Sequence, residues 1–434
     1  MTTDLSKSPG DSPGPGVPAN GNGAAPAGVT PVDPRLLVRE QGFMGYLTEF
    51  KRKMRSGELG SVPVVIGLIV IWAIFQSLDS NFLSAQNLSN LSVYVVGTGL
   101  ISVGIVFVLL LGEIDLSVGS VSGLAGAVFA VLAVNHGVAE WLALLLALVT
   151  GALAGAVHGF FFARIGVPAF VVTLAGLLAW NGLMLQVLDT SGTINLDDDG
   201  LVTTMTSYYF TDVAAAYGLA LVAVLTFFAA QFLDSRRRDA AGVPSRPLSE
   251  ILARTGVLAV LAFVTAYTLN QYKGLPLALL IFLVVLVAFD LLLRRTSYGR
   301  KVFALGGNTE AARRAGINVA AVRISVFSLA GTMAAFGGLM IASRIAAANQ
   351  GAGSGNLLME AIAAAVIGGT SLFGGRGKVW SALLGMLVIG SIANGLALVG
   401  SPAHVQYMIT GGVLLAAVVI DSVSRRTQRT AGRT

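Results

Sequence analysis

Gly368-Gly369-Thr370-Ser371-Leu372-Phe373-Gly374-Gly375-Arg376-Gly377-Lys378 is the run of this sequence that most invites phosphate chemistry. A phosphate-cradling loop needs glycine five places before its Gly-Lys pair and a hydroxyl after it, so that backbone amides and the lysine converge on the anion. Leu372 and Val379 occupy those places, and no other Gly-Lys-Ser/Thr run exists in the chain. Gly112-Glu113-Ile114-Asp115-Leu116-Ser117-Val118-Gly119-Ser120 is the second candidate, with two carboxylates between long apolar segments. A carboxylate at the centre of a membrane helix costs about 2.5–3.5 kcal/mol, a cost that usually marks function. The residues leave two readings open: a working acidic pair, or Asp115 capping the next helix with Glu113 in interfacial water. The absence of cysteine excludes disulfides, thiolate metal sites and cysteine nucleophiles. His136, His158 and His404 are too scattered for a metal cluster, and His158 reads as a packed, hydrogen-bonded helix residue. No Ser/His/Asp or His/Glu set stands at enzyme spacing, so no catalytic residue, metal or enzymatic activity is assigned.

The elements that must position these residues are membrane helices. Apolar residues make up 55% of the chain and charged residues 12%, with a mean hydropathy of +0.78, the composition of an all-α integral membrane protein. The net charge of +6 is spread over the flanks of apolar segments and forms no compact basic domain, which excludes nucleic acid as a partner. About 20 apolar residues are needed per crossing. Twelve runs qualify, near 62–79, 90–111, 117–135, 140–163, 167–188, 213–233, 251–270, 275–293, 323–343, 358–373, 379–399 and 404–421. The tenth is short and ends in glycines, as a broken or re-entrant helix does. One set of loops carries Arg164, Arg236, Arg237, Arg238, Arg294, Arg295, Arg300, Lys301, Arg313, Arg314, Arg376 and Lys378, whereas the opposite set holds Lys273 and Arg344 against seven acids. The positive-inside rule then places both termini in the cytoplasm. Residues 1–35 read as a disordered cytoplasmic tail, 36–60 as a basic amphipathic membrane-surface segment, 62–421 as the membrane domain and 422–434 as a basic tail. Gly151, Gly155 and Gly159 recur along one face of the fourth span, a pattern for close helix packing.

The basic island from Arg294 to Arg323 interrupts the apolar chain for longest. Gly306 and Gly307 break the backbone there, Asn308 suits an N-cap, Glu310 suits the first turn, and Gly316 suits the C′ position after Arg313 and Arg314. The helix implied is about seven residues long, too short to stand alone in water. Its small faces, Ala311, Ala312 and Ala315, imply a partner protein that comes close.

Glu310-Ala311-Ala312 followed by Gly316 is similar to the EAA-x3-G coupling loop of ABC importer permeases, although the Leu-Pro of the commoner pattern is missing. The wider run YGRKVFALGGNTEAARRAGINV, with GEIDLSVGS, VPAFVVTLAGLLAWNGL at 167–183, LNQYKGLP at 269–276 and GGTSLFGGRGKVWSALLG at 368–385, resembles the ribose/xylose/arabinose branch of the ABC sugar importer permeases. Within that branch the xylose type is nearest, and the likeness runs from Val62 to Asp421. The resemblance implies about ten core helices plus an extra pair near 251–293, and a cytoplasmic coupling helix using Asn308, Glu310, Ala311, Ala312, Arg313 and Gly316. It also implies a homodimer, an ATPase subunit that carries the ATP and Mg this chain does not hold, an extracytoplasmic sugar-binding protein, and residence in a bacterial inner membrane. A monosaccharide, D-xylose or another pentose, is the implied cargo.

Polar and aromatic residues in or beside the spans are candidates for its path: Glu113, Asp115, Ser117, Trp180, Asn181, Glu360, Thr370, Ser371 and Asn394, with Gln406 and Tyr407 at the end of the last span. Sugars are held by amides, carboxylates and aromatic faces, so the residue types fit. The rival class is a twelve-span proton-coupled secondary sugar transporter with Glu113 or Asp115 as proton carrier. The second span is followed by no Gly-x3-Asp-Arg-x-Gly-Arg loop, and acids within the spans are few, which weighs against that rival.

Overall fold

Each of the twelve apolar runs forms a helix. The structure is a computed structural model that describes residues 62–243 and 245–430; the expected tail 1–35, the basic segment 36–60 and residues 431–434 lie outside the described residues. In chain order the helices are α1 (Val62–Leu78), α2 (Ala85–Leu110), α3 (Val118–Ala130), α4 (Glu140–Phe160), α5 (Ala169–Leu188), α6 (Leu201–Ser207), α7 (Val213–Ala240), α8 (Leu248–Asn270), α9 (Leu277–Arg295), α10 (Ser297–Gly307), α11 (Thr309–Arg314), α12 (Val319–Ile345), α13 (Leu357–Ile367), α14 (Trp380–Leu398) and α15 (Ala403–Thr430). Single π-helical turns extend α3 to Asn135 and α4 to Ile165. Nine helices among the described residues are long and apolar enough to cross a membrane. The protein is thus a multi-pass membrane protein.

Local chemistry sets several helix starts. The Ser84 hydroxyl accepts from the Asn87 amide at 3.2 Å to open α2, and the Asp212 carboxylate accepts from the Ala214 amide at 2.9 Å to open α7. Helix α2 is almost wholly buried, as its polar-poor sequence allows, and forms the axis of the body. Helix α12 lies across α2, α3 and α4. The glycine stripe of α4 is its contact: side chains at Gly151, Gly155 and Gly159 would collide with the Gly331 carbonyl, the Phe327 carbonyl and the Ile324 Cα of α12. Small residues here let two backbones touch, and dispersion between them replaces the hydrophobic effect that lipid cannot supply.

Two short antiparallel pairs tie loops together at one end of the body. Strand β1 (Thr193–Asn195) joins β4 (Ala347–Asn349), and β2 (Tyr209–Phe210) joins β3 (Leu275–Pro276). Helices α7 and α8 pack chiefly on each other and leave most of their surface open.

The tenth run is short as its glycines imply, and two other boundaries differ from expectation. Helix α13 has 11 residues, about 16 Å at 1.5 Å per residue, which is half a crossing. The segment before it folds onto α3, where Gly353 and Gly119 meet backbone to backbone. Helix α15 continues to Thr430, through residues that composition assigns to a tail. Gly306 and Gly307 do not break the basic island but end a helix, α10, whose Gly299, Val302 and Leu305 are buried at three-residue spacing.

Candidate functional site

Helix α11 is built as its residues dictate, one residue shorter than expected. The Asn308 side chain accepts from the Ala311 amide at 2.9 Å, and Gly316 takes the left-handed conformation at φ +80° that ends the helix. Glu310 lies exposed between Arg313 and Arg314, each 3.4 Å away. Such surface pairs contribute about 0–1 kcal/mol, so all three charges remain available to a partner. Ala311 and Ala315 are exposed, but Ala312 is buried in the body. Ala312 therefore anchors the helix and is no part of its outer face, a correction to the three-alanine surface expected above.

Helix α10 connects α11 to the body through the buried side chains of Val302 and Leu305 and through a backbone contact at Gly306. A side chain at Gly306 would collide with the Leu110 carbonyl and the Gly375 amide. The Gly375 amide itself donates to the Leu110 carbonyl at 2.9 Å. Gly374, at φ +85°, lies against Gly112, at φ +80°, and against the Gly306 carbonyl. Both glycines hold a left-handed conformation that other residues adopt only under strain. The end of α10, the start of the GEIDLS break and the glycine turn after α13 thus meet in one joint. Thr370 and Ser371 are buried beside it; the Ser371 amide donates to the Arg376 carbonyl at 2.9 Å, and the Thr370 hydroxyl touches no partner among the described residues.

From this joint the chain runs into a buried relay. The Asp115 carboxylate accepts from the Ser117 amide at 2.8 Å and from the Ser117 hydroxyl at 2.6 Å. The Ser117 oxygen is 3.2 Å from His158 Nδ1, and the Trp180 indole N–H donates to His158 Nε2 at 2.8 Å. An indole only donates, so Nε2 must be unprotonated and Nδ1 carries the proton. Every donor then points the same way, from Trp180 through His158 and Ser117 to Asp115. Gly176 makes room for the imidazole, because a side chain there would strike Nε2. Asp115, Ser117 and His158 do come together although their spacing hides it, but the order is wrong for nucleophilic catalysis. A serine nucleophile directs its hydroxyl proton at histidine; here the Ser117 hydroxyl donates its hydrogen bond to Asp115. The local turn at Asp115 is close to the capping role considered above. Glu113 is half-buried at the start of the break, and burial pushes its carboxyl above the usual carboxylate range while the Arg323 guanidinium pulls it down.

The remaining path candidates scatter. Asn394 exchanges reciprocal amide hydrogen bonds of 2.9 and 3.1 Å with Asn87 of α2, which commits both side chains to a helix contact. Asn181, next to Trp180 on α5, and Glu360 on α13 are half-buried. Gln406 donates to the Ser401 carbonyl at 3.0 Å, and Tyr407 is exposed. Helix α10 and the Gly306 contact were missed in the sequence; the Gly299, Val302, Leu305 spacing was the available signal.

Residues 87–418 match the family described as branched-chain amino acid transport system / permease component. The chain is 36% identical to the xylose transport system permease protein XylH of Escherichia coli K12 over 375 residues, covering 86% of this chain and 94% of that one. XylH of Haemophilus influenzae gives 36% identity over 86% of this chain and 99% of its own. The ribose import permease protein RbsC of Bacillus subtilis gives 31% identity over 86% and 96%. No solved structure matches the chain. With a family match over three quarters of its length and full-length permease relatives, this chain belongs to the branched-chain amino acid transport system / permease component family.

Proposed function

We propose that this chain is the permease subunit of an ATP-driven importer whose cargo is a monosaccharide, with D-xylose first among the pentoses. The observation that carries the reading is the exposed helix α11, joined backbone to backbone with the GEIDLS break and the glycine turn through Gly306. A partner that moves α11 moves both breaks, which is the mechanical requirement for a pore driven from outside itself. The permease relatives supply the class, and their names, xylose and ribose, supply the cargo. The family description names branched-chain amino acids, but the relatives that match end to end are sugar permeases.

On this reading Glu310, with Arg313 and Arg314, faces an ATPase chain that holds ATP and Mg, and the end carrying α10 and α11 is cytoplasmic. A second permease copy completes the pore, and a binding protein delivers sugar to the end bearing the strand pairs. Nucleotide binding draws the ATPase subunits together, pulls on α11 and opens the pore outward; hydrolysis resets it.

The test is Glu310→Lys in proteoliposomes holding the permease, its ATPase and the binding protein. The variant should assemble as a stable membrane protein, lose co-purification with the ATPase and reduce ATP-dependent xylose uptake by tenfold or more, about the 1.4 kcal/mol that one lost charge contact supplies. Unchanged uptake refutes the docking role. Uptake that persists without nucleotide and collapses with a protonophore establishes the secondary-transporter alternative instead.

A further inference from the structure

Between α12 and α13 the chain leaves the helical conformation for residues 346–356 while it is still inside the body. Strand β4 lies against α3, and further along a side chain at Gly123 would strike the Ala352 carbonyl and one at Gly119 the Gly353 carbonyl. Because α3 is a spanning helix, this irregular backbone runs at membrane depth. Irregular backbone is tolerated there only where it is packed in protein or lines a watery cavity. Such a cavity is present, about 220 Å3 between α3, α12 and the segment itself. It suits one small solute, being below the ~300–1,000 Å3 of sites that take drug-sized ligands.

No charged side chain among the described residues lines this cavity; its polar members are Ser122 of α3, Asn349 and Ser354 of the segment, and the backbone of Gly351 and Gly353. The Ser122 hydroxyl donates to the Gly119 carbonyl at 2.6 Å and the Ser354 hydroxyl to the Gly351 carbonyl at 2.6 Å, which leaves both oxygens free to accept. The Asn349 side-chain amide and the Gly351 and Gly353 backbone N–H groups make no hydrogen bond among the described residues. They remain open to a ligand. The segment is also held in place: Asn349 pairs with Thr193 across the β1–β4 register, and Ala346 takes φ +49°, a left-handed conformation rare for a residue with a side chain. Strain of that kind persists where the surroundings fix it, as they do at ligand clamps.

The lining selects between two classes of cargo. An amino acid brings a carboxylate and an ammonium, and the wall offers neither a counter-charge, so both would be desolvated without compensation. A neutral polyol asks only for donors and acceptors, and each of its hydroxyls is both.

We propose that this cavity is a monosaccharide subsite on the translocation path, with Asn349 donating to and accepting from the sugar, Ser122 and Ser354 accepting from its hydroxyls, and residues 346–356 forming one wall. The proposal rests on the monosaccharide reading above and adds the residues that hold the cargo.

Gly126 lines the same cavity, and the nearest atoms to a side chain built there are the Ala342 Cβ at 3.8 Å and the Gly338 carbonyl at 4.0 Å, so a larger side chain has space only in the cavity. Gly126→Leu and Asn349→Leu, each checked for co-purification with the ATPase, should lower xylose uptake about tenfold in proteoliposomes holding the ATPase and the binding protein. The chain has no cysteine, so Ser354→Cys places a single thiol at the cavity. A small methanethiosulfonate reagent should modify that thiol, and saturating xylose should slow the modification severalfold where leucine does not. Parental xylose uptake by both variants, or one rate of modification with and without xylose, overturns the subsite. Should Gly126→Leu fail to assemble, the thiol result decides. Parental protein that transports leucine and no monosaccharide overturns the cargo reading itself, so the two failures are distinguishable.

Discussion

Trp180, His158, Ser117 and Asp115 come from α5, α4 and the break before α3, and their value to one another depends on a shared direction of donation. Removing the Trp180 donor leaves His158 Nε2 buried without a partner, which costs about 1–3 kcal/mol. Trp180→Phe should therefore lower the thermal unfolding temperature of the purified protein by several degrees, measured by intrinsic fluorescence or scanning calorimetry in detergent; an unchanged temperature means that the relay bears no strain on the fold. The residue types were legible in advance, but their company was not. His158 could be read as a packed helix residue because a lone histidine on an apolar face usually is. That Asp115 and Ser117 lie against it follows from how α4 crosses α3, which no local spacing encodes. Asn394 shows the same limit from the other side. A lone amide in a span fits a sugar path, but its partner, Asn87, is far away in sequence and visible only in three dimensions.

At the scale of elements, α11 was readable to within a residue because its signals are local: an Asn cap, an acid in the first turn, basic residues in the last and a glycine after it. Helix α10 escaped because Gly306 and Gly307 look like a breaker, whereas the fold uses Gly306 for contact. The half-length of α13 was visible in its terminal glycines. Gly306→Val should separate α10 from Leu110 and Gly375, since the joint has no space for a side chain. We expect a protein that inserts and still binds its ATPase through α11, yet turns over ATP with sugar uptake reduced tenfold or more, about the penalty of a modest overpacking strain. Parallel assays of ATP hydrolysis and uptake decide it, and parental coupling in that variant would show that the joint transmits nothing.

For the whole molecule, apolar run length was enough to locate twelve helices, nine of them long and apolar enough among the described residues to cross a membrane, because membrane insertion is governed by quantities summed along the chain. Their arrangement was not accessible that way. Helices α7 and α8 form a hairpin at the margin, and the Asn270 amide donates to the Val213 carbonyl at 3.2 Å, so its two ends are adjacent. Replacing 213–270 with a short Gly/Ser linker should leave the remaining helices inserted and able to co-purify with the ATPase, as judged by size-exclusion chromatography; loss of assembly would show that the hairpin supports α2. The meeting of Gly112, Gly306 and Gly374 has a different consequence. With carbonyls and amides touching and nothing compressible between them, the linkage has no backlash. If a partner pulls on α11, that linkage should pass the displacement to both breaks at once, as a coupling with two settings and no resting place between them.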